Sequence, residues 1–425
     1  MSKIADNRRG RTTGLALAAG WLLAGLGTGW ATDVHADLGD EVAACEFADF
    51  QRCAALQTAA ASRKAEIPAL AAKLTAAATP AAAKAKLALG LAMLDAREHK
   101  DALDAAAKQL AGAAELADVR AAQARLGDPR AIPDLLQLVA AGQPLRNRLL
   151  AAGGLGVLHA KEGAELLIQA LGDAKVPRMQ AEGAKALALI GDPRAELPLA
   201  NLAGTAGAFV PARTEALQAL ARLSAPRART LALLLVAHPS AELGRAAVEV
   251  LRAHWVPWAE PAVLAALDLP GRRGAAARVA ADRLLAAMGP KLLTLVANAG
   301  LEADELVFVL DAIGKLKPAG ASQVLLQRLK SDAAVEEKIE LLKTFPRIGD
   351  LTILAELVPY LSDAENRIVA NTVYALENLS GQHLGPDVKA WRRYTGLDPA
   401  AKDSKDSKVS KDPKTARPAP APAVP

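Results

Sequence analysis

The sequence predicts an all-α protein, a solenoid of stacked antiparallel helix pairs. Of its 425 residues, 52% are hydrophobic but only 3% are aromatic. Alanine and leucine carry most of the apolar content, and both favour helices over strands, which argues against a β-sandwich or β-barrel. A unit of about 32 residues recurs from about residue 125, and this is the period of solenoid architectures. The mean hydropathy of +0.15 is too low for a polytopic membrane protein.

The N-terminal segment 1–36 is predicted to be a secretory signal peptide. Lys3 and three arginines form a positively charged start, and an uncharged, leucine-containing run follows. Val34 and Ala36 then stand at the −3 and −1 positions of a cleavage site after Ala36. The alternative is an uncleaved anchor, because the run is nearly long enough to span a bilayer. In both cases the rest of the chain is expected in the periplasm or cell envelope, with no further membrane span.

Two other export signals match less well. Arg8 and Arg9 are paired as in a twin-arginine signal, but no bulky apolar residue follows them closely. The segment 42–45 resembles a lipoprotein acylation box, but acidic residues separate it from the apolar run that such a box should adjoin. Cleavage after Ala36 is therefore the favoured interpretation.

Cys45 and Cys53 are predicted to form a disulfide, since the exported chain would meet an oxidising compartment. On one straight helix two cysteines with this spacing would lie about 12 Å apart, which is too far for a disulfide. The prediction therefore requires a bend between them, at 46–51. The alternative is a pair of buried free thiols.

The formal charge of +5 does not indicate a nucleic-acid-binding protein. Residues 1–36 contribute +2 and residues 401–425 contribute +3, so residues 37–400 are neutral. A basic footprint across the folded part is missing, and no nucleic-acid partner is expected. The tail 401–425 joins Lys/Asp/Ser repeats to alternating Pro and Ala, a composition that predicts disorder.

A five-residue motif is predicted to mark the junctions between helices. Gly-Asp-Pro-Arg-Ala at 127–131 returns 64 residues later at 191–195, and 224–228 holds a degraded copy. Glycine is suited to end one helix, aspartate caps the next, and proline fits the first position of that helix. The motif therefore predicts a helix–turn–helix junction and not a chemical site.

Each unit is predicted to contain two helices, because apolar residues recur at helical spacing on both sides of a short turn. A helix pair can bury these apolar stripes only by stacking on neighbouring pairs. The glycines at 153, 154 and 156 lie in such a stripe with no preceding strand, so they predict close helix packing and not a dinucleotide loop. The expected units are 125–157, 158–189, 190–223, 224–256, 257–289, 290–320, 321–350 and 351–381.

This pattern resembles HEAT repeats, especially the bacterial HEAT-like group related to bilin-lyase (PBS-lyase-type) repeats. The segments 126–136 and 189–195 carry the resemblance. It implies a right-handed α-solenoid over 125–381, and it specifies the type of repeat without specifying an activity.

The two flanks of the repeat region are predicted to be helical caps. Residues 37–124 form the N-terminal cap region, within which 83–110 fit either a tetratricopeptide-like unit or a degenerate HEAT pair. Residues 382–400 form the C-terminal cap, since 378–391 resemble an ending of exported bacterial HEAT-repeat proteins. We expect Trp391 to pack across the last repeat, because a terminal repeat must cover its open end.

Familiar catalytic motifs are missing from the sequence, which lacks a P-loop, a Gly-x-Ser-x-Gly elbow, a Cys-x-x-Cys pair and a His-Glu-x-x-His zinc motif. None of the six histidines follows another at the helical spacing of a metal pair. The di-iron chemistry of some HEAT-like enzymes does not carry over, because no His-Glu dipeptide occurs. We expect a non-catalytic protein with no cofactor and no metal.

A basic residue recurs near the start of most predicted second helices, and stacking in register would align these residues along the solenoid. In the favoured interpretation each one bonds to an aspartate or carbonyl of the adjoining repeat, because unpaired like charges would repel one another. In the other, they bind an acidic protein partner or an anionic polymer. Glu305 interrupts the series in the sixth unit. The members are Arg146, Arg178, Arg213, Arg245, Arg278, Lys338 and Arg367.

Trp255 and Trp258 form an aromatic cluster in an otherwise aromatic-poor chain. They are predicted to plug a gap between repeats, and the alternative is an interface. The nearby segment 271–274 is predicted to be a solvated turn, with the alternative that it forms the rim of a site with the two tryptophans. The sequence as a whole predicts a non-catalytic scaffold that binds an unidentified protein through the concave face of the solenoid. The alternative function is an enzyme or enzyme accessory with its site near Trp255 and Trp258.

Overall fold

The structure, a computed structural model, describes residues 64–298 and 300–397. The predicted signal peptide, Cys45, Cys53 and the predicted tail at 401–425 lie outside these residues. Within the described part all regular secondary structure is helical, which confirms the all-α class.

The α-helices of the described part are joined by short loops and 3₁₀ turns. In chain order they are α1 Ile67–Thr75, α2 Ala81–Met93, α3 Lys100–Gln109, α4 Leu116–Arg125, α5 Ile132–Leu138, α6 Leu145–Val157, α7 Ala164–Leu171, α8 Pro177–Ile190, α9 Glu196–Gly204, α10 Val210–Leu223, α11 Ala225–Leu235, α12 Ala241–Ala253, α13 Glu260–Ala266, α14 Arg273–Arg283, α15 Gly289–Ala297, α16 Ala303–Leu316, α17 Ala321–Lys330, α18 Val335–Ile348, α19 Leu354–Leu357, α20 Asn366–Ser380 and α21 Val388–Tyr394.

Each odd-numbered helix packs against the even-numbered helix that follows it, from the pair α1/α2 to the pair α19/α20. Each even-numbered helix also packs on the even-numbered helices of the neighbouring pairs, without interruption from α2 to α20. Odd-numbered helices touch one another less. These contacts are consistent with an α-solenoid. In a curved solenoid the more closely packed row of helices lies on the inside. We therefore call the exposed surface of the even-numbered helices the inner face. The exposed surface of the odd-numbered helices is called the outer face.

Glycine lets the even-numbered helices approach one another closely. A Cβ atom added at Gly156 in α6 would lie 2.8 Å from the Cα atom of Ala186 in α8. A Cβ added at Gly274 in α14 would lie 3.3 Å from the Cα atom of Glu305 in α16. Both distances are shorter than ordinary van der Waals contact, so the helices could not pack this way around larger residues. The predicted role of the glycines in α6 is confirmed.

The Gly-Asp-Pro motif forms the junction that its sequence predicts. Gly191 ends α8 in the left-handed conformation, with φ of 74°. The carboxylate of Asp192 then accepts a hydrogen bond from the backbone N–H of Arg194 at 2.9 Å, at the start of the 3₁₀ turn before α9. The copy at 127–131 has the same geometry. Asp350 caps the turn before α19 in the same way, a copy that the sequence analysis did not identify.

Trp391 in α21 closes the C-terminal end of the described array, as expected. Its side chain is fully buried, and its Nε1–H donates to the carbonyl oxygen of Gly385 at 2.8 Å. The ring meets that of Tyr394 edge to face, with 5.8 Å between the ring centres. Helix α21 packs on the 3₁₀ helix Val358–Ser362 of the last pair, so Trp391 covers apolar surface that no further pair covers.

Substitution of Gly156 tests the close approach of α6 and α8. Gly156→Ala is expected to destabilise the protein by about 1–3 kcal/mol, because the backbone of α8 would have to move away from the added methyl group. The measurement is the urea midpoint of the full-length chain, followed by circular dichroism at 222 nm.

Gly183→Ala in α8 is the matched control for this substitution. A Cβ at Gly183 would make ordinary contacts, the nearest at 3.5 Å from the carbonyl oxygen of Leu167. The better helix propensity of alanine should therefore leave stability unchanged or raise it by up to about 1 kcal/mol. Equal midpoints for the two variants would contradict the close approach.

Candidate functional site

The predicted basic residues do not share one helical register. Arg146 and Arg178 are the second residues of α6 and α8, whereas Arg213 is the fourth residue of α10, Arg245 the fifth of α12 and Arg278 the sixth of α14. Each residue turns the side-chain direction by about 100° around the helix axis. The shifts therefore distribute these side chains over different faces of the even-numbered helices, and each has different surroundings.

Arg213 is buried and caps the helix that precedes its own. Its Nε–H donates to the carbonyl oxygen of Ala203 near the end of α9, at 3.0 Å. The last carbonyls of a helix lack partners within the helix, so a side-chain donor there stabilises the helix end. Arg148 and Gln180, the fourth residues of α6 and α8, cap α5 and α7 in the same way. Arg213 is therefore a structural residue of its helix pair.

Arg146 and Arg278 form ion pairs with the preceding even-numbered helix. Arg146 donates from both η nitrogens to the carboxylate of Asp118 in α4, at 2.7 and 2.6 Å. Arg278 donates to Glu249 in α12 at 3.0 Å, and its guanidinium lies 5.0 Å from the centre of the Phe308 ring in α16. For these two residues the arrangement matches the interpretation in which the arginine bonds to an acidic residue of the adjoining repeat.

Other ion pairs continue this pattern along the even-numbered helices. Arg367 in α20 donates to Glu336 in α18 at 3.1 Å, and Arg347 in α18 donates to Asp311 in α16 at 3.2 Å. Several inner-face arginines are thus neutralised by acidic residues of a neighbouring helix.

Arg178, Arg245 and Lys338 form no ion pair with any residue of the described ranges. Arg178 and Arg245 are exposed, and Lys338 is half-buried. Of the predicted series, the two exposed arginines are therefore the side chains with charge available to a partner.

Glu305 interrupts the predicted basic series because it serves as a helix cap. It is buried in α16, and its Oε1 accepts a hydrogen bond from the backbone N–H of Arg273 at 3.2 Å. This bond satisfies a free N–H at the start of α14, where a negative charge is also favoured by the helix dipole.

The segment 271–274 is not a solvated turn, contrary to the sequence-based interpretation. Arg272 is only 5% exposed, and its guanidinium fills the space that a side chain at Gly244 would need. It donates to the carbonyl oxygen of His238 in the preceding pair. Burial, with the nearby charges of Arg213 and Arg272, lowers the pKa of His238. Arg272 thus links two helix pairs where the even-numbered helices α12 and α14 touch least.

Trp255 and Trp258 differ in their surroundings. Trp255 is half-buried against the main apolar core, whereas Trp258 is 59% exposed. Neither tryptophan lines the two clefts on the two sides of α9, which are described in the following paragraphs.

A cleft of about 870 Å³ lies between α7 and α9 and is closed at one end by the loops at 172–176 and 205–209. Its polar lining residues include Gln180, Asn201 and Thr205. Most of its wall is apolar, and the apolar side chains are Ile168, Leu171, Ala174, Pro177, Pro198, Leu202, Ala206, Ala208 and Phe209.

A second cleft of about 410 Å³ lies between α9 and α11. Leu197 and Leu234 border it and are 57% and 75% exposed. Asn201 lines both clefts, so the two meet at one residue of α9. Neither cleft was predicted from the sequence. The clefts depend on the distances between odd-numbered helices, and no sequence motif specifies those distances.

A dense charged cluster joins α3, α4 and α5. Asp104 accepts from Lys108 at 2.8 Å and from Arg120 at 2.9 Å, and Arg120 also donates to Asp134 at 2.6 Å. The hydrogen bonds from Lys108 and Arg120 hold the pKa of Asp104 at about 2. These charges compensate one another, so the cluster ties three helices together and presents no unpaired reactive group.

No three or more His, Cys, Asp or Glu side chains of the described ranges are grouped as metal ligands. None of the helices in those ranges has the length and apolarity needed to span a membrane.

Comparison with known proteins leaves the chain without an assigned family. No protein-family model matches it, and no curated protein matches it. Among solved structures it is similar to a crystal structure of an engineered protein, with 17% sequence identity over 81% of this chain and 93% of that chain, and with a TM-score of 0.37. The fold assignment therefore rests on the helix contacts of the chain itself.

Two alanine variants separate the paired from the unpaired arginines. Arg278→Ala is expected to lower stability by about 1 kcal/mol, because it removes a partly exposed ion pair and a cation–π contact. Arg245→Ala should change stability by less than about 0.5 kcal/mol, since Arg245 has no ion-pair partner in the described part. Urea midpoints of the two variants check this, and equal losses would contradict the assignment.

The charged cluster predicts an acid-sensitive contribution to stability. The pKa of Asp104 is lower in the folded than in the unfolded chain, so its contribution is present above about pH 4 and is lost as the pH falls towards 2. Asp104→Asn should therefore lower the urea midpoint at pH 6 and have a much smaller effect at pH 2.5.

Asp101→Asn is the matched control for the acid series, because Asp101 is on the same helix and is almost fully exposed. It should change the midpoint little at either pH. The explanation fails if Asp104→Asn lowers the midpoint equally at both pH values.

Proposed function

We propose that the protein is a non-catalytic scaffold that binds protein partners through the inner face of a HEAT-like α-solenoid. The observation that carries this proposal is the unbroken row of even-numbered helices from α2 to α20. Such a row offers one extended surface, which suits the binding of another protein better than the enclosure of a small substrate.

The side chains of the inner face support a protein partner. Exposed apolar residues occur on several even-numbered helices, and they include Val157, Leu189, Phe308 and Tyr374. Between them lie arginines that are neutralised by acidic residues of adjacent helices. A surface that combines exposed apolar groups with arginines resembles protein–protein interfaces. The ion pairs of Arg146, Arg278 and Arg367 reduce the positive charge that an anionic polymer could contact.

We further propose that the superhelix is right-handed and that the protein works in the periplasm or cell envelope. The handedness follows from the resemblance of the Gly-Asp-Pro-Arg-Ala units to HEAT repeats, and the location follows from the signal-like sequence at 1–36. The capping geometry at 127–131 and 191–195 supports the repeat assignment, since two units begin with the same junction.

Photo-crosslinking in the producing cells tests the proposed face. A benzophenone amino acid placed at Gln218 in α10 or at Tyr374 in α20, both exposed on the inner face, should give crosslinked products of discrete mass. The same group at Leu351, which precedes α19 and is 57% exposed, is the outer-face control and should give none of these products. Products from Leu351 alone would overturn the proposal.

A further inference from the structure

We propose that the two clefts beside α9 form one binding site for an extended peptide that carries two apolar side chains and an acidic residue. The clefts lie on the two sides of an odd-numbered helix, and the start of α8 borders the larger one. The inference goes beyond the proposed scaffold function and does not depend on it.

The larger cleft is suited to an apolar side chain. Its walls come from α7 and α9, and its closed end comes from the loops that follow these helices. Phe209 stands at the edge of the cleft and is exposed, although burial of a phenylalanine is strongly favourable. At about 870 Å³ the cleft has the volume of a ligand pocket. An apolar group that enters it would cover Phe209 and the neighbouring apolar wall.

The smaller cleft continues the same surface across α9. Leu234 and Leu197, at its border, are among the most exposed large apolar side chains in the described part. Two such leucines around one cleft form an exposed apolar patch, which is typical of an interaction site. Asn201 lines both clefts, and its side-chain amide can donate to and accept from a peptide backbone that passes over it.

The distance between the clefts sets the spacing of the two apolar side chains. The clefts lie on opposite sides of one helix, and packed helices are separated by about 8–10 Å. A peptide in the extended polyproline II conformation advances about 3.1 Å per residue with three residues per turn, so two side chains three residues apart are separated by about 9 Å and point to the same side.

The rim of the larger cleft favours a negative charge beside the first apolar residue. Lys175 lies between the lining residues Ala174 and Pro177, and Arg178 directly follows Pro177. Neither side chain forms an ion pair with any residue of the described ranges. Asp173 is the acidic residue of this loop, and its carboxylate accepts from the backbone N–H of Lys175 at 3.1 Å.

The net charge at this rim is thus positive, and no charged residue lines the opposite wall at 205–209. An acidic residue of the bound peptide would compensate the rim charge. The site therefore gives Arg178, one of the predicted partner-binding residues, a role on the rim of the larger cleft.

Selection from a displayed library of random peptides of about 12 residues, with the full-length chain as bait, tests this site. The enriched sequences should share two apolar positions about three residues apart, next to an acidic residue. One enriched peptide, synthesised with a fluorescein label, then serves as the probe in anisotropy titrations.

Substitutions in each part of the site should weaken this probe. Leu234→Glu and Phe209→Ala should each raise its Kd about tenfold, and Arg178→Glu should raise the Kd several-fold and reduce its salt dependence. The controls are Leu351→Glu, with the same change at an exposed leucine elsewhere, and Arg245→Glu, with the same change at an unpaired arginine of α12. Both controls should bind as the unmodified chain does, and circular dichroism checks that every variant is folded.

Several outcomes would overturn the proposal. These are the failure of any peptide to be enriched, equal binding by the cleft variants and the controls, and enrichment of basic peptides. Displacement of the probe by micromolar palmitate would assign the larger cleft to an acyl chain instead, and would also overturn it. The absence of crosslinks from the inner face would contradict the scaffold proposal without changing the peptide-binding results. The scaffold proposal and the peptide-site proposal can therefore fail independently.

Discussion

Each even-numbered helix between α2 and α20 packs on the even-numbered helices on both sides of it, and this packing needs small residues where the backbones meet. Gly156 in α6 lies against the backbone of Ala186 in α8, and Gly274 in α14 lies against the backbone of Glu305 in α16. A short helix pair cannot bury its apolar stripes alone, so the row of even-numbered helices is what makes the pairs stable. The alanine-rich composition is the sequence counterpart of this packing.

Close packing of the even-numbered helices also decides what the charged residues do. Where even-numbered helices lie close together, an arginine bonds to an acidic residue of the neighbouring one, as Arg146 in α6 bonds to Asp118 in α4. One or two residues further along the helix, an arginine such as Arg213 turns inward and caps the preceding helix. The inner face therefore carries both paired and unpaired arginines, and the odd-numbered helices, which are less closely packed, leave the clefts beside α9.

The sequence predicted the features that depend on neighbouring residues. The junctions at 127–131 and 191–195 follow from local backbone preferences, and Trp391 follows from the need to cover an open end. It did not predict the different surroundings of the arginines, because a shift of one residue turns a side chain by about 100°. Arg272 was interpreted as solvated because only the structure reveals that Gly244, in another pair, provides space for it.

Hydrogen–deuterium exchange of the full-length chain measures the packing of the two rows helix by helix. The central claim predicts that α6, α8 and α10 exchange more slowly than α5, α7 and α9, with weaker protection at α12 and α14, where the even-numbered row has its fewest contacts. Equal exchange in the two rows, or slower exchange in the odd-numbered helices, would contradict the claim that the even-numbered row holds the array together.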